Sequence, residues 1–296
     1  MTIVCGTDFS ANAGAAARVA AAVAARLAAP LKLVHVTDAC GTDDSAAPLR
    51  ARLHAQADGL RGQFDIDVES LLELGSADER LVAVAASRHA RLLVVSSLGE
   101  RKQQRWLLGS VAERVAQASP VPVLVVREAA GIEAWARGER TLRVMVGVEL
   151  TPSSKVALDW ADELRAIGPC ELLVTQIVWP AEEHHRLGVP MPVPLDHLRP
   201  DLEHVLLRDL TQWAGKQPGA DTSFIVRPGW GRVDSHLAQL AAEVDVDLLV
   251  VGTHKRAGIA RLWQGSVSRG VLHSAAMSVA CVPVRGAVDE PVERTP

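Results

Sequence analysis

The fold of this chain is indicated most clearly by Val94-Val95-Ser96-Ser97-Leu98-Gly99, which is followed ten residues after Gly99 by Gly109-Ser110-Val111. An apolar run ends in small residues, a loop that starts with glycine follows, and a Gly-Ser pair opens an amphipathic stretch. This order predicts a buried strand, a loop and the start of a helix. A helix N-terminus presents free backbone N–H groups and the positive end of the helix dipole, so the element favours an anion.

The same element occurs a second time. Leu249-Val250-Val251-Gly252 leads through Lys255 to Gly265-Ser266-Val267. Because the second copy keeps the ten-residue step before its Gly-Ser pair, counted from Lys255, the chain is predicted to consist of two equivalent halves.

The spacing between equivalent residues locates an insertion. Gly109 and Gly265 are 156 residues apart (265 − 109), whereas the acidic residues after the first strands, Asp8 and Glu149, are 141 apart (149 − 8). The second half therefore carries 15 extra residues (156 − 141). We place them in the loop 179–200, after the second strand of that half, since a longer surface loop costs little free energy.

Apolar runs alternate with amphipathic stretches along both halves. Strands that alternate with helices of ten or more residues predict right-handed βαβ units and a parallel sheet, hence an α/β fold. A polar segment breaks this rhythm in the middle of the chain, and we interpret it as a linker. The predicted organisation is α/β domain 1 (1–128), linker (129–140), α/β domain 2 (141–285) and tail (286–296).

Length and composition restrict the class of protein. The 296 residues suit two ordinary domains, and a hydrophobic content of 48% with 22% charged residues is typical of a sizeable core. The net charge of −4 argues against a dedicated nucleic-acid binder. The alanine-rich stretch 11–29 is interrupted by Arg18 and Arg26, so it predicts an amphipathic helix rather than a membrane span.

The cysteines and the N-terminus favour the cytoplasm. Four cysteines are widely spaced and form no CxxC pair (Cys5, Cys40, Cys170 and Cys281). We interpret them as reduced thiols without a disulfide or metal role. No basic region precedes the first apolar run, which predicts that there is no signal peptide.

The residues after the strands have the chemistry of a nucleotide site. In a parallel sheet, ligands bind beyond the carboxyl ends of the strands, where the strand order reverses. If strands one and four are neighbours there, Asp8 and Ser96 face one crevice. Gly99 would allow positive φ and a close phosphate, and Gly109-Ser110 would bind that phosphate at a helix start. Asp8 would accept hydrogen bonds from ribose, and the backbone at Val36 would contact a base.

These positions, their neighbours and their equivalents in the second half are the candidate nucleotide-binding residues. In the first half they are Thr7, Asp8, Val36, Ser96, Gly99, Gly109, Ser110 and Val111. In the second half they are Glu149, Ile177, Gly252, Gly265, Ser266, Val267 and Ser268.

The sequence resembles the universal stress protein family over nearly its whole length, as two tandem copies. The resemblance rests on Gly6-Thr7-Asp8 and Gly147-Val148-Glu149, on the family's glycine pattern G-x2-G-x9-G-[ST], and on the closing segments 119–126 and 278–284. It implies, for each half, a five-stranded parallel sheet in the order 3-2-1-4-5, doubly wound with helices on both faces. Tandem members resemble a dimer fused into one chain, often paired through the last strands.

Members of that family divide into those that bind ATP and those that do not, and neither half keeps the full pattern. Ser96 replaces the first glycine of the first half, and Ala112 replaces its last hydroxyl. Lys255 replaces the second glycine of the second half, and Glu149 replaces the aspartate. A lysine at a turn that needs positive φ costs about 1 kcal/mol or more, so we expect the better site in the first half. Contact of Lys255 with phosphate is the open alternative.

Simpler interpretations of the same residues stay open. The two Gly-Ser pairs are also typical of plain helix capping, and Asp8 is also typical of a turn. The basic residues of the glycine loops are also typical of a solvated surface. The histidines in or near 179–200 have no spacing that fixes a tetrahedral set, so we expect no metal site.

The sequence contains no Walker-type loop, nucleophile elbow or HExxH motif. We therefore expect at most slow ATP hydrolysis. The favoured hypothesis is a cytosolic stress-response protein that binds ATP, with or without Mg²⁺, or a related adenine nucleotide, as a sensor. The alternative is a scaffold that binds no nucleotide and acts through an unidentified protein partner. The halves are expected to form an internal pseudo-dimer, a homodimer is left open, and neither nucleic acid nor membrane is an expected partner.

Overall fold

Ten strands lie in one sheet in the computed structural model, which describes residues 2–38, 43–99, 108–188, 198–215, 219, 221–253 and 266–284. Those of the first half are β1 (Ile3–Gly6), β2 (Leu31–Thr37), β3 (Val68–Leu74), β4 (Leu92–Ser96) and β5 (Val123–Val126). Those of the second half are β6 (Leu142–Gly147), β7 (Cys170–Val178), β8 (Thr222–Pro228), β9 (Leu248–Thr253) and β10 (Ser278–Pro283).

The α-helices of the described residues cover both faces of this sheet. In the first half and the segment that follows it, they are α1 (Ala11–Arg26), α2 (Asp43–Phe64), α3 (Ala77–Ser87), α4 (Ser110–Ala118) and α5 (Ala130–Ala136). In the second half they are α6 (Pro152–Glu163), α7 (Pro180–Arg186), α8 (Pro200–Ala214), α9 (Val233–Glu243) and α10 (Ser266–Ser274).

The strand order confirms two tandem, doubly wound α/β units. The sheet runs β3-β2-β1-β4-β5-β10-β9-β6-β7-β8, and all neighbours within a half are parallel. The last strands, β5 and β10, pair antiparallel and join the halves. The order reverses between β1 and β4 in the first half and between β6 and β9 in the second, which is where a doubly wound sheet opens a crevice.

Two hydrophobic cores lie on the two faces of the sheet, and each contains residues of both halves. One core packs beneath α1, α2, α5, α6 and α8, and the other beneath α3, α4, α9 and α10. Neighbouring residues of a strand enter opposite cores, as Val4 and Cys5 do. Strands covered on both faces must be apolar on both sides, which explains their continuous apolar runs.

Capping side chains fix the start of the helices that follow the first strands. The Ser10 hydroxyl accepts a hydrogen bond from the Ala13 N–H at α1, and Thr151 accepts one from Ser154 at α6. Ser76, with Glu79 three residues on, is the sequence pattern of a capping box, but Ser76 does not cap α3 with its side chain. Its hydroxyl donates to the Asp78 carboxylate instead (2.7 Å), because that acceptor is charged and close.

The segment interpreted as a polar linker contains a buried helix. Helix α5 directs Ile132, Trp135 and Ala136 into the core below α1. Its Glu133 forms an ion pair with Arg18 of α1 (3.1 Å). The i, i+3, i+4 spacing of the three apolar residues supplies this buried face. The predicted domain boundaries themselves stay predictions.

Backbone conformation supports the predicted repeat and insertion. Phe9 and Leu150 both adopt positive φ (63° and 54°) and are 141 residues apart (150 − 9). His89 and Asp245 do so as well (47° and 51°) and are 156 apart (245 − 89). Helix α7 lies inside the predicted insertion, of which residues 189–197 are outside the described part.

Three of the cysteines are buried free thiols, Cys5, Cys170 and Cys281, and Cys40 lies outside the described residues. Burial raises the pKa of Cys5 and Cys281 to about 12 and that of Cys170 to about 11. Separately, among the described residues none of the helices has both the length and the apolar character needed to cross a membrane.

Candidate functional site

A cavity of about 140 Å³ opens at the switch point of the second half, beyond the carboxyl ends of β6, β7 and β9. Its walls also include the first turns of α6, α9 and α10. The lining residues are Gly147, Val148, Glu149, Ser153, Ser154, Thr175, Ile177, Val233, Leu237, Val251, Gly252, Val267 and Ser268.

The structure brings together the second-half residues that the sequence selected. Glu149, Ile177, Gly252, Val267 and Ser268 all line the cavity, although they come from four different elements or their ends. Of the other two selected residues, Ser266 begins α10, and Gly265 lies outside the described residues.

Glu149 supplies the charged group of this lining. Its backbone N–H donates to the Ser154 hydroxyl (2.9 Å), which fixes the turn after β6. Its side chain is exposed and makes no hydrogen bond or ion pair with any residue that the structure describes. The carboxylate is therefore available to accept hydrogen bonds from a ligand.

Three helix N-termini point toward the cavity. Ser153 and Ser154 belong to α6, Val233 to α9, and Val267 with Ser268 to α10. In a parallel α/β unit every helix starts at the carboxyl edge of the sheet, so their dipoles add positive potential there. This end of the cavity suits an anionic group such as phosphate.

Gly252 is required by packing between α6 and β9. A Cβ atom on Gly252 would lie 2.5 Å from the Ser153 carbonyl oxygen, closer than Cβ atoms approach backbone. The glycine therefore lets α6 approach the strand, which brings Ser153 to the cavity wall. The family's first glycine has a structural role here that does not depend on a bound nucleotide.

Sequence reasoning missed the floor and one wall of the cavity. Thr175 is buried beneath it, and Val233 and Leu237 come from α9, which lies outside the glycine pattern. The run Thr151-Pro152-Ser153-Ser154 was a signal for two other missed residues, because a capped helix start after β6 must lie at this edge of the sheet.

In the first half the equivalent carboxylate is engaged with the backbone. The Asp8 carboxylate accepts a hydrogen bond from the Ser10 N–H (3.0 Å). Its other oxygen would lie 2.5 Å from a Cβ atom on Gly99. Gly99 does not adopt positive φ, so that expectation is wrong. The Asp8 carboxylate instead packs against Gly99 and would have to shift to admit a side chain there.

Aromatic and basic side chains cover the ends of β1 and β2. The Phe9 and His35 rings lie 4.4 Å apart, and the Arg52 guanidinium lies 4.6 Å from the Phe9 ring centre. His35 Nδ1 is hydrogen-bonded to the Thr7 carbonyl (2.8 Å), and the buried Thr7 hydroxyl donates to Gln56 (3.0 Å). Thr7 therefore holds the turn through its hydrogen bonds.

The remaining first-half candidates gather at the end of β4 and the start of α4. The Ser96 hydroxyl donates to the Leu98 carbonyl (3.1 Å), and the Gly109 N–H donates to the Ser97 carbonyl (2.7 Å). Gly109 is the N-cap of α4 and has no side chain to cap it, so side-chain capping does not explain this Gly-Ser pair. Ser110 is exposed, Val111 is half-buried, and Val36 packs against the core under α3 and α4.

No group of three or more His, Cys, Asp or Glu side chains within the described part of the chain is placed to hold a metal ion. His184, on α7, is buried, whereas His197 lies outside that part.

The repeated switch-point crevice and the continuous sheet define a tandem, doubly wound α/β protein. The family model for universal stress proteins matches residues 1–127 and 141–283, so the chain belongs to the universal stress protein family. It is 26% identical over 297 residues to a universal stress protein of Mycobacterium tuberculosis, covering 94% of this chain and 95% of that relative.

One solved structure has the same fold over nearly the whole chain. A universal stress protein from Archaeoglobus fulgidus covers 96% of this chain and 98% of its own, with a TM-score of 0.68 and 16% identity. A shorter universal stress protein, crystallised in complex with cAMP, covers 43% of this chain and 96% of its own, with a TM-score of 0.37 and 31% identity.

Proposed function

We propose that this protein is a stress-response regulator that binds an adenine nucleotide, ATP or a relative of it, in the crevice of the second half. The observation that carries the proposal is the cavity itself. It combines the Glu149 carboxylate, to which no described residue forms a hydrogen bond or ion pair, with apolar walls and three helix N-termini within one crevice. Ribose hydroxyls, a base and phosphates require these three environments.

The chemistry of the walls orients the nucleotide. Glu149, at the end of β6, would accept hydrogen bonds from ribose, as sequence reasoning assigned to its equivalent Asp8. Ile177, at the end of β7, offers an apolar contact for the base. Val267 and Ser268 lie in the first turn of α10, where the backbone N–H groups would bind phosphate.

The size of the cavity limits what it encloses. About 140 Å³ is less than the roughly 300–1,000 Å³ of a pocket that surrounds a whole drug-sized ligand. The base and sugar would occupy the cavity, and the phosphates would extend along the start of α10. The oxygen donors of the lining suit Mg²⁺ carried on the phosphates.

The sequence favours the first half, whereas the described geometry favours the second. In the first half Asp8 is held by backbone groups, and Phe9 with His35 covers the strand ends. The equivalents of those two rings are Leu150 and Gln176, at the 141-residue spacing (150 − 9 and 176 − 35). The preference for the first half stays a prediction, and one experiment tests both.

Matched charge insertions distinguish the two crevices. Val267→Glu adds an anion to the first turn of α10, and Val111→Glu adds one at the equivalent position of α4 (267 − 111 = 156). Both positions are half-buried, and a carboxylate in a first turn is compatible with the helix dipole. Equilibrium dialysis with labelled ATP, with and without Mg²⁺, measures affinity and stoichiometry.

We expect wild type and Val111→Glu to bind ATP with equal affinity, and Val267→Glu to bind at least about 10-fold more weakly through charge repulsion. The reverse pattern assigns the site to the first half and overturns the proposed location. Absence of binding by the wild-type protein overturns nucleotide binding altogether. Competition with AMP and cAMP then ranks the related nucleotides.

A scaffold function is favoured by one observation. Trp179 and Trp230 are 36% and 43% exposed, and their ring centres lie 6.0 Å apart at the ends of β7 and β8. Exposed, paired tryptophans are typical of protein contact surfaces. This second candidate gains support if the wild-type protein does not bind ATP and Trp230→Ala abolishes capture of a partner that Val267→Glu still captures.

A further inference from the structure

The antiparallel strands β5 and β10 form the seam between the halves. The seam has an internal two-fold axis that passes between Leu124 and Ala280. In the register of the seam, Leu124 lies opposite Ala280, and Val125 lies opposite Val279. Leu124 and Ala280 are 156 residues apart (280 − 124), the spacing that relates equivalent residues in this part of the chain. They are therefore the same position of the fold, facing itself across the axis.

The two residues on the axis differ in size. Both are buried in the core under α1 and α6. If two copies of the first half paired in this way, leucine would oppose leucine. If two copies of the second half did, alanine would oppose alanine. Overfilled and underfilled cores are both destabilising, so the observed large–small pair suits only unlike halves.

On the opposite face of the sheet, two equivalent residues with opposite charges face each other across the axis. Glu113 of α4 and Arg269 of α10 form an ion pair (2.8 Å), and they are also 156 residues apart (269 − 113). His273 Nε2 lies 3.4 Å from the same Glu113 carboxylate. Like halves would place glutamate against glutamate, or arginine against arginine, at a site where the Glu113 side chain is only 18% exposed.

One seam contact exists in one direction only. The Arg127 N–H donates to the Ser278 hydroxyl (3.1 Å), and its guanidinium donates to the Leu272 carbonyl (2.5 Å). The residue equivalent to Arg127 in the second half is Pro283 (283 − 127 = 156), which has neither group. A pair of second halves would have Pro283 in place of Arg127, and a pair of first halves would have Pro122 in place of Ser278 (278 − 156 = 122), which has no hydroxyl to accept the bond.

We propose that these self-facing positions make the seam selective, so that the first half accepts the second half and rejects another copy of itself. The partner that fits the last-strand edge is a second half, normally that of the same chain. The edge used for pairing is then satisfied internally. The proposal rests on the seam alone and is independent of nucleotide binding.

Reversal and exchange of the charges in the full-length chain test the proposal. The variants are Glu113→Arg, Arg269→Glu and the double exchange, with amide hydrogen exchange of β5 and β10 followed by mass spectrometry. Each single variant places like charges on the axis, and we expect exchange to be faster by about 5- to 30-fold. The double variant Glu113→Arg/Arg269→Glu restores the ion pair and should return the hydrogen-exchange rates to within about twofold of wild type.

The control reverses a comparable ion pair away from the axis. Arg114, next to Glu113 on α4, pairs with Asp78 of α3 inside the first half. The side-chain exposures of that pair are 54% and 15%, close to the 55% and 18% of Arg269 and Glu113. Arg114→Glu destabilises the same cooperative unit but does not change a facing pair, so its loss of protection in β10 should multiply with that of Arg269→Glu in a double variant, whereas Glu113→Arg and Arg269→Glu should compensate each other.

Swapping the large and the small residue on the axis, Leu124 and Ala280, provides an independent second test by the same measurement. Leu124→Ala leaves a cavity and Ala280→Leu overfills the core, whereas the double variant returns one large and one small residue. We expect the double variant to lose at least about 10-fold less protection than the product of the single losses. Multiplicative losses in both sets of variants would overturn the proposal, because the facing positions would then act independently.

Discussion

The glycines of the motif are explained at the scale of single residues by close contacts. Sequence reasoning assigned Gly99 a positive φ, but the structure places it against the Asp8 carboxylate in an ordinary conformation. Gly252 is likewise crowded by the Ser153 carbonyl. A pattern of glycines identifies the element, whereas the neighbour that crowds each glycine comes from another part of the chain.

Gly252→Ala should lower the free energy of unfolding by about 1–3 kcal/mol, because the added methyl group must displace the start of α6. Urea unfolding at fixed temperature measures the change. Gly62, exposed on α2, is the control, since a Cβ atom there meets nothing within 4 Å. Gly62→Ala should raise the free energy by about 0.5–1 kcal/mol. Equal stability of Gly252→Ala and wild type would contradict the close contact.

The buried thiols should resist alkylation in the folded protein. Burial raises the pKa of Cys5 and Cys281 from the ordinary thiol value of 9.0 to about 12. At pH 8 only about one molecule in ten thousand then carries a given thiolate. Mass spectrometry after iodoacetamide treatment should find both residues unmodified until urea unfolds the chain. Rapid native labelling of either residue would contradict their burial.

The raised pKa values of the buried thiols determine how the free energy of unfolding changes with pH. The folded-state pKa is raised, so the stability contributed by a neutral buried thiol is complete below pH 9.0 and is lost as the pH rises toward about 12. In that pH range the cysteine thiols of the unfolded chain lose their protons first, and this ionisation favours the unfolded chain. The free energy of unfolding should therefore fall above pH 9, and Cys5→Ala should reduce the slope.

Among the secondary-structure elements, helix α5 shows that the segment between the halves is packed against both of them rather than being a polar linker. A polar linker would leave the halves tethered only through the chain. The structure instead buries Trp135 against Gly168, the residue before the turn into β7, while Glu133 pairs with Arg18 of α1. The helix thus contacts both halves and fastens them on one face of the sheet.

Trp135→Ala should lower the free energy of unfolding by about 3–5 kcal/mol, as truncation of a buried aromatic does. Trp135 is 1% exposed and belongs to the core under α1 and α6. Arg137→Ala, at the exposed end of the same segment, should change stability by no more than about 0.5 kcal/mol. Similar effects of the two variants in urea unfolding would show that α5 does not fasten the halves.

At the scale of the whole molecule, the two halves share one sheet and two cores. Each core contains residues of both halves, and β5 with β10 closes the seam. Separate unfolding of one half would expose a buried sheet edge of the other. We therefore expect one cooperative transition in differential scanning calorimetry, with equal calorimetric and van't Hoff enthalpies. Two resolved transitions would contradict this shared construction.

The sequence predicted the parts of the fold that depend on local pattern. Alternating apolar runs and amphipathic stretches gave the parallel sheet, and the spacings of 141 and 156 residues gave the repeat and its insertion. Glu149, Ile177, Gly252, Val267 and Ser268 were selected from one motif and its second copy, and they do line one cavity. Thr175, Val233 and Leu237 were missed because no motif marks residues that reach a site from neighbouring elements.

The tandem, doubly wound fold could therefore be predicted from the sequence alone, because strands and helices follow from the period of local hydrophobic patterns. The strand ends proposed to bind a ligand stay a prediction. The packing of the strand–loop–helix element in each half is visible only in the tertiary structure. Asp8 is held against Gly99 in one copy, whereas the Glu149 side chain of the other copy has no hydrogen bond or ion pair to any described residue. The physical reason is that contacts between distant segments set the space and the free hydrogen-bonding groups of a crevice.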